Sequence, residues 1–390
     1  MDIVPKRAPD SWLFCAVVAL VATGVVMVYS ASAIVAQDRY GDGAFFFKRQ
    51  VAWAGLGMMA LLIMQRTQYA RLRRLTPWLL IMAILSLTLV LLPGIGRVAG
   101  GARRWIVLAG PFAFQPAEGA KLALALYLAH VLTKRGPGLG DPRAVSSPLL
   151  VTTLISGLIL LQPDMGTSLL VALLAAAVFF IGGVRLVHLL GLSMASIPLL
   201  TVAALGEEYR RQRLLAFLDP WRDPQGAGFH IIQSLLALGS GGVLGLGLGE
   251  SRQKFFYLPE RHTDFIFAIL GEELGLIGTV AVLVLFGILA VRGLRIAREA
   301  PDRYGSLVAG GITLMIVLQA IINIGVTTGV LPITGVPLPF VSFGGSSLLF
   351  AMMGMGIVLN ISQYCGSPHA GFAGSGRSAG SRERGNMGMR

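Results

Sequence analysis

Residues 264–291 read DFIFAILGEELGLIGTVAVLVLFGILAV. No charge falls between Leu274 and Val291. About 20 apolar residues, at a rise of about 1.5 Å each, cross the hydrocarbon layer of a bilayer. This stretch therefore predicts a membrane-spanning helix. It decides the fold class because other runs repeat its character. Ten spans can be drawn, near 12–34, 50–65, 77–93, 116–133, 146–162, 165–183, 186–205, 264–291, 305–328 and 340–362. The expected fold is an all-α polytopic membrane protein. It has about ten transmembrane helices and a long extracellular loop, 206–263, between helices seven and eight. Composition agrees: 55% of the 390 residues are hydrophobic and 13% charged, against roughly 25% charged in soluble domains. Mean hydropathy is +0.73. A water-soluble globule and a disordered chain are both excluded. The first run is too long for a signal-peptide core and is expected to stay as a helix.

Orientation follows from the positive-inside rule. With the N-terminus inside, short inner loops hold Arg66, Arg71, Arg73, Arg74, Lys134, Arg135, Arg292, Arg295 and Arg298. An even number of spans then makes 1–11 and the tail 365–390 both cytoplasmic. The tail is rich in Gly, Ser and Arg and is expected to be disordered. The net charge of +13 is also carried outside. Arg97, Arg103 and Arg104 follow span three, and Arg210, Arg211, Arg213, Arg222, Arg252, Lys254 and Arg261 lie in 206–263. Singly these are solvated loop residues. Together they form an outer surface that attracts an anionic lipid headgroup. Nucleic acid is not an expected partner there.

The 206–263 segment is too long for a simple connector. Its stretch Phe229–Leu238 sets His230, Gln233 and Ser234 on one helical face and Ile231, Leu235 and Leu238 on another, which predicts a helix lying in the interface. The glycines after it do not match a dinucleotide fingerprint. Cys15 and Cys365 cannot make a disulfide framework, and no metal-ligand spacing is present.

Charged groups within or at the ends of spans are costly, so each marks a candidate site. Glu118 and Lys121 stand i, i+3 at the start of span four. They read as a self-neutralising pair, or as a carboxylate and a cation facing a polar cavity. Asp164, between spans five and six, reads as a helix cap that could carry a second role. Asp264 reads as a cap of span eight, or as a general base for a hydroxyl at the outer leaflet. Glu272 lies about 12 Å further along that helix, with Glu273 on the far side; at least one should face other helices. Gln319, Asn323 and Thr327 make one polar stripe on span nine, suited to interhelical hydrogen bonds. Residues 331–347 carry three prolines and Gly344-Gly345, so they cannot form a regular lipid-facing helix. Gly344-Gly345-Ser346-Ser347 reads as a packing turn or as a phosphate site at a helix start.

Several of these stretches resemble the SEDS family (RodA, FtsW and SpoVE). They are SRQKFFYLPERHTDFIFA at 251–268 with GEELG at 271–275, GARRWI at 101–106, QPAE at 115–118 with Lys121, QPDMG at 162–166, and PLPFVSFGGSS at 337–347. The resemblance runs in order over about residues 12–364. MVYSAS at 27–32 and LNIS at 359–362 look closer to the FtsW/SpoVE branch. It implies a peptidoglycan glycosyltransferase of the bacterial cytoplasmic (inner) membrane. Such an enzyme polymerises lipid II at the outer face and releases polyprenyl pyrophosphate. The implied partners are a class B penicillin-binding protein, which is a transpeptidase, and other divisome or elongasome membrane proteins. The implied setting is division or a sporulation septum.

The resemblance further implies Asp264 as the catalytic aspartate and Glu118, Lys121 and Asp164 as functional positions. Asp264 would take the proton of the acceptor 4-hydroxyl. The pyrophosphate leaving group needs charge neutralisation, for which Arg103, Arg104, Arg213 and Lys121 are candidates. Lys254, Ser346 and Ser347 complete the expected substrate contacts. No cofactor is required by this chemistry, although a divalent cation, Mg or Mn, could serve the same end. The competing reading is a lipid II flippase without chemistry, since buried charges and broken helices suit a transporter too. A flippase needs a polar path through the whole bilayer. Here the polar groups cluster in the outer half, apart from Glu272 and Glu273, which favours the enzyme. A third reading, a scaffold that recruits a transpeptidase, would leave Asp264 dispensable.

Overall fold

The computed structural model describes residues 6–99, 102–109, 112–136, 143–192, 194, 201, 206, 208–251 and 263–365. The apolar runs become helices, some of which begin at a capping aspartate. Helix α1 (Ser11–Tyr40) begins at Asp10, whose carboxylate accepts the Leu13 N–H at 2.9 Å. It ends on Gly41 in the left-handed region, φ 68°. Helices α2 (Phe45–Arg66) and α3 (Tyr69–Leu89) follow. After the sheet described below come α4 (Pro116–Arg135), α5 (Arg143–Leu160) and α6 (Met165–Ile181). The segment that the sequence reading set outside contains α7 (Glu208–Leu218), a 3-10 turn at Pro220–Arg222 and α8 (Phe229–Ser240). Long helices α9 (Ile266–Glu299), α10 (Arg303–Thr327) and α11 (Gly345–Ser362) complete the fold.

Among the described residues, α1, α3, α9, α10 and α11 are each long and apolar enough to cross a membrane, and shorter apolar helices accompany them. The protein is an all-α, multi-pass membrane bundle with one addition. The loop after the third span is not irregular. It forms an antiparallel sheet of β1 (Gly96–Ala99), β2 (Ala102–Ala109) and β3 (Phe112–Phe114), in that order. Of the expected span 186–205, residues 186–192 are helical and most of the remainder lies outside the described residues. So do residues 366–390 of the expected tail.

Helices α10 and α11 are the most enclosed, so their polar side chains face protein. Helix α11 packs along α2 and α10, and α10 also meets α4, α6 and α9. The loop between α10 and α11 is buried as predicted for irregular backbone at membrane depth. Its Val336, Leu338, Phe340 and Val341 are almost fully enclosed. Gly24 of α1 makes room for it, because a Cβ there would overlap the Phe340 carbonyl oxygen.

Helix α9 breaks at Gly275, with φ 65° and ψ −161°. A loop of residues 241–249 replaces the hydrogen bonds lost at the break. Leu246 and Gly247 donate to the carbonyls of Glu272 and Glu273, each at 3.0 Å, and Leu276 and Ile277 donate to Gly242 (3.0 Å) and Val243 (3.3 Å). Both glutamates are buried. Ser30 of α1 donates to Glu273 (2.6 Å) and Ser251 to Glu272. A Cβ at Gly275 would overlap the Gly245 nitrogen, and its positive φ disfavours any other residue. Gly275→Ala should therefore destabilise the protein by about 1–3 kcal/mol, read as a lower melting temperature in detergent.

Helix α8 turns part of its polar face to protein and part of its apolar face outward. Ser234 is fully buried and donates to the Thr327 carbonyl at 2.7 Å, whereas Leu235 and Leu236 are exposed.

At the basic end of the bundle the two ends of the described chain meet. Asp10 is ion-paired with Arg292, its N–H donates to Ser362 Oγ (3.1 Å), and the Arg7 N–H donates to the Gln363 carbonyl (2.9 Å). Asp302 caps α10 and accepts the Tyr69 hydroxyl at 2.7 Å.

Candidate active site

A cavity of about 410 Å³ opens where α4, α6, β2, α7 and the start of α9 converge. Arg104, Gln115, Glu118, Asp164, Arg213, Asp264, Gly335 and Ser347 contribute to its lining. Of the acids and bases expected from sequence, Glu118, Asp164, Asp264, Arg104 and Arg213 thus meet at one place.

Asp164 caps α6, accepting the Thr167 N–H at 3.0 Å through Oδ1. Its other oxygen lies 3.6 Å from Arg104 Nη1 and 3.5 Å from Gln115 Nε2. The cap and the second role coexist on one carboxylate. Arg104 also donates to the Gln162 carbonyl (3.0 Å) and to that of Pro163, so its fork is held by the turn before α6. Successive residues of a strand point to opposite faces. Arg103 accordingly turns away, donating to the Leu91 carbonyl at 3.2 Å, and is not part of the cavity lining. Only knowledge of the sheet separates the two arginines.

Glu118 lines the cavity, and Lys121 lies behind it at 2% exposure. Lys121 Nζ is 3.0 Å from Glu118 Oε1 and 2.7 Å from Gln319 Oε1. Gln319 in turn donates to the Pro337 carbonyl at 2.9 Å. Lys121 holds Glu118 and Gln319 and is not itself among the residues that line the cavity.

Asp264 does not cap α9. The capping position is Phe265, and no side chain bonds there. Its carboxylate instead borders the cavity, with Oδ2 3.5 Å from where a Cβ of Gly335 would lie. Its backbone carbonyl is fixed by Asn323, whose Nδ2 donates at 2.8 Å to both Asp264 and Val336. Ser342 reinforces the junction by donating to the Thr263 carbonyl at 2.6 Å. The polar stripe of α10 was legible in sequence; its attachment to Asp264 was not.

Arg213 reaches the cavity from α7. Burial pulls its guanidinium below the ordinary arginine range; Asp264 and Asp164 oppose that shift, and Arg104 adds to it. The cavity thus carries three carboxylates facing two arginines. Ser347 and Gly344 line it as well, while Ser346 is buried and its hydroxyl accepts the Gln115 N–H at 3.2 Å. Lys254, with the rest of 252–262, lies outside the described residues. Among the described residues, no cluster of three or more His, Cys, Asp or Glu could hold a metal ion.

Comparison with known proteins agrees with this architecture. A family model described as cell cycle protein, covering FtsW, RodA and SpoVE, matches residues 11–366. Stage V sporulation protein E of Bacillus subtilis is 45% identical over 360 residues, 92% of this chain and 98% of that protein. The probable peptidoglycan glycosyltransferase FtsW of Trichlorobacter lovleyi is 44% identical, over 90% of this chain and 93% of its own. A solved chain from a peptidoglycan synthase complex that coordinates polymerization and crosslinking superposes with a TM-score of 0.75. It is 37% identical, covering 91% of this chain and 98% of that one.

Proposed function

The chain belongs to the FtsW, RodA and SpoVE family of cell cycle proteins, and on that premise we propose how it acts as a peptidoglycan glycosyltransferase. The substrate is lipid II, a disaccharide-pentapeptide on polyprenyl pyrophosphate. Asp264 accepts the proton of the acceptor sugar's 4-hydroxyl. That oxygen forms a bond to the donor's anomeric carbon as the carbon–oxygen bond to pyrophosphate breaks. The leaving group departs with the bonding electrons, and Arg104 and Arg213 neutralise its charge. Asp264 returns its proton to water. A bound Mg or Mn ion would supply the same neutralisation; the step as written needs only the arginines.

The observation that carries this reading is the position of Asp264. It is held by its backbone, is not used as a cap, and borders a cavity shared with two arginines. The flippase alternative gains no support from Glu272 and Glu273, which are engaged by serines and by the glycine loop. The proposed setting is the bacterial cytoplasmic membrane with both termini inside, and the proposed partner is a class B penicillin-binding protein.

The test is glycan-strand formation from lipid II by the purified protein with its cognate transpeptidase in detergent. Micelles have no leaflets, so a transporter yields no strands there. Strands from wild type support the enzyme; none, with a verified partner, would move the flippase or scaffold ahead. A finer expectation concerns Arg104, whose planar fork serves two carbonyls and a carboxylate. Lysine cannot reproduce that geometry. Arg104→Lys should lower the polymerisation rate by about 10–100-fold, equivalent to roughly 1.4–2.7 kcal/mol.

A further inference from the structure

We propose that the glycine loop at 241–249 is not part of a water-exposed loop but is seated in the outer edge of the bilayer, where it binds lipid acyl chains. Its level along the bundle comes first. The loop is hydrogen-bonded to residues 272–277 of α9. Of these, Leu276 and Ile277, just past the break, lie about 23–24 Å along the axis from Arg292, where the helix turns basic, at about 1.5 Å per residue. The hydrocarbon layer is about 30 Å thick. The loop pairs with this part of α9 and so falls inside the apolar layer near its outer boundary.

Its chemistry suits that place. Bare backbone is tolerated in lipid only where its polar groups are paired within the protein. Leu246 and Gly247 donate to α9, Gly242 and Val243 accept from it, and Gly245 donates to the Gly241 carbonyl at 2.8 Å. The side chains left pointing outward are apolar. Val243, Leu244 and Leu248 are 61%, 79% and 57% exposed, and Leu236, Leu276 and Ile277 extend the same surface. Water is a poor partner for such a patch. Acyl chains fit both its level and its composition. The glycines let the loop lie close against the broken helix, as the overlap of any Gly245 Cβ with the Glu273 carbonyl oxygen requires.

The test uses the full chain with Cys15 and Cys365 replaced, reconstituted in phosphatidylethanolamine–phosphatidylglycerol vesicles without a partner. Bimane is attached at Leu244→Cys and, in a second protein, at Leu248→Cys. Asp223→Cys on the exposed turn serves as the aqueous reference, and Val284→Cys on the exposed face of α9 as the lipid reference. The expected result is several-fold stronger quenching by nitroxide lipids than by iodide. Lipids labelled near the headgroup should outperform those labelled near the chain end. Iodide quenching equal to that at Asp223 would overturn the proposal by placing the loop in water. Protection from both quenchers would overturn it by showing that a second protein copy covers the patch. The second labelled site keeps the result decisive if one variant fails to fold.

Discussion

Asp264→Asn should reduce glycan-strand formation by about 10²–10⁴-fold, the contribution expected of a general base. Melting should stay close to wild type. One structural bond at this position is to the backbone carbonyl, which asparagine retains. Asparagine is also nearly isosteric, so the cavity keeps its shape and loses its proton acceptor together with the negative charge beside Arg213. Substrate binding should change little, so the loss should fall on kcat and not on KM. Equal polymerisation by the variant and wild type would remove Asp264 from the mechanism. Asn323→Ala offers the complementary experiment. It keeps the carboxylate but leaves the Asp264 and Val336 carbonyls without their shared donor, so activity and stability should fall together.

Lys121→Ala should be the most destabilising of these substitutions, costing about 3–5 kcal/mol. It strands Glu118, at 4% exposure, without its cation and deprives Gln319 of a donor. Removing both charges in Glu118→Ala/Lys121→Ala should cost less than Lys121→Ala alone, because no uncompensated ion then remains. Thermal melting in detergent measures both. If Lys121→Ala melted like wild type, the pair would not be holding α4 against α10.

The helices were legible because span-length apolar runs leave few alternatives, and the cap at Asp164 announced one of their starts. The sheet at 96–114 was not legible. Its strands are short and glycine-flanked, and their pairing depends on contacts with neighbours that no local pattern encodes. That omission is why Arg103 and Arg104 looked equivalent. The buried pair of Glu118 and Lys121 could be read from its spacing, but Gln319 as the third member could not, since it lies 198 positions away from Lys121. The break in α9 was hidden for a similar reason. Gly275 among apolar neighbours reads as a tolerated glycine until the loop that plugs the gap is seen.

Helix α10 has a consequence of a mechanical kind. One of its ends is fixed where Asp302 meets Tyr69. Some 30 Å away, a single amide on Asn323 grips both Asp264 and Val336. A helix is stiff along its axis, so it behaves as a push-rod between the two faces. Any sliding at the Asp302 end would displace Asp264 and the adjoining wall together, by the same amount, without breaking a bond between them. The two would stay in register, and the gap that changed would be the one separating them from the arginine side.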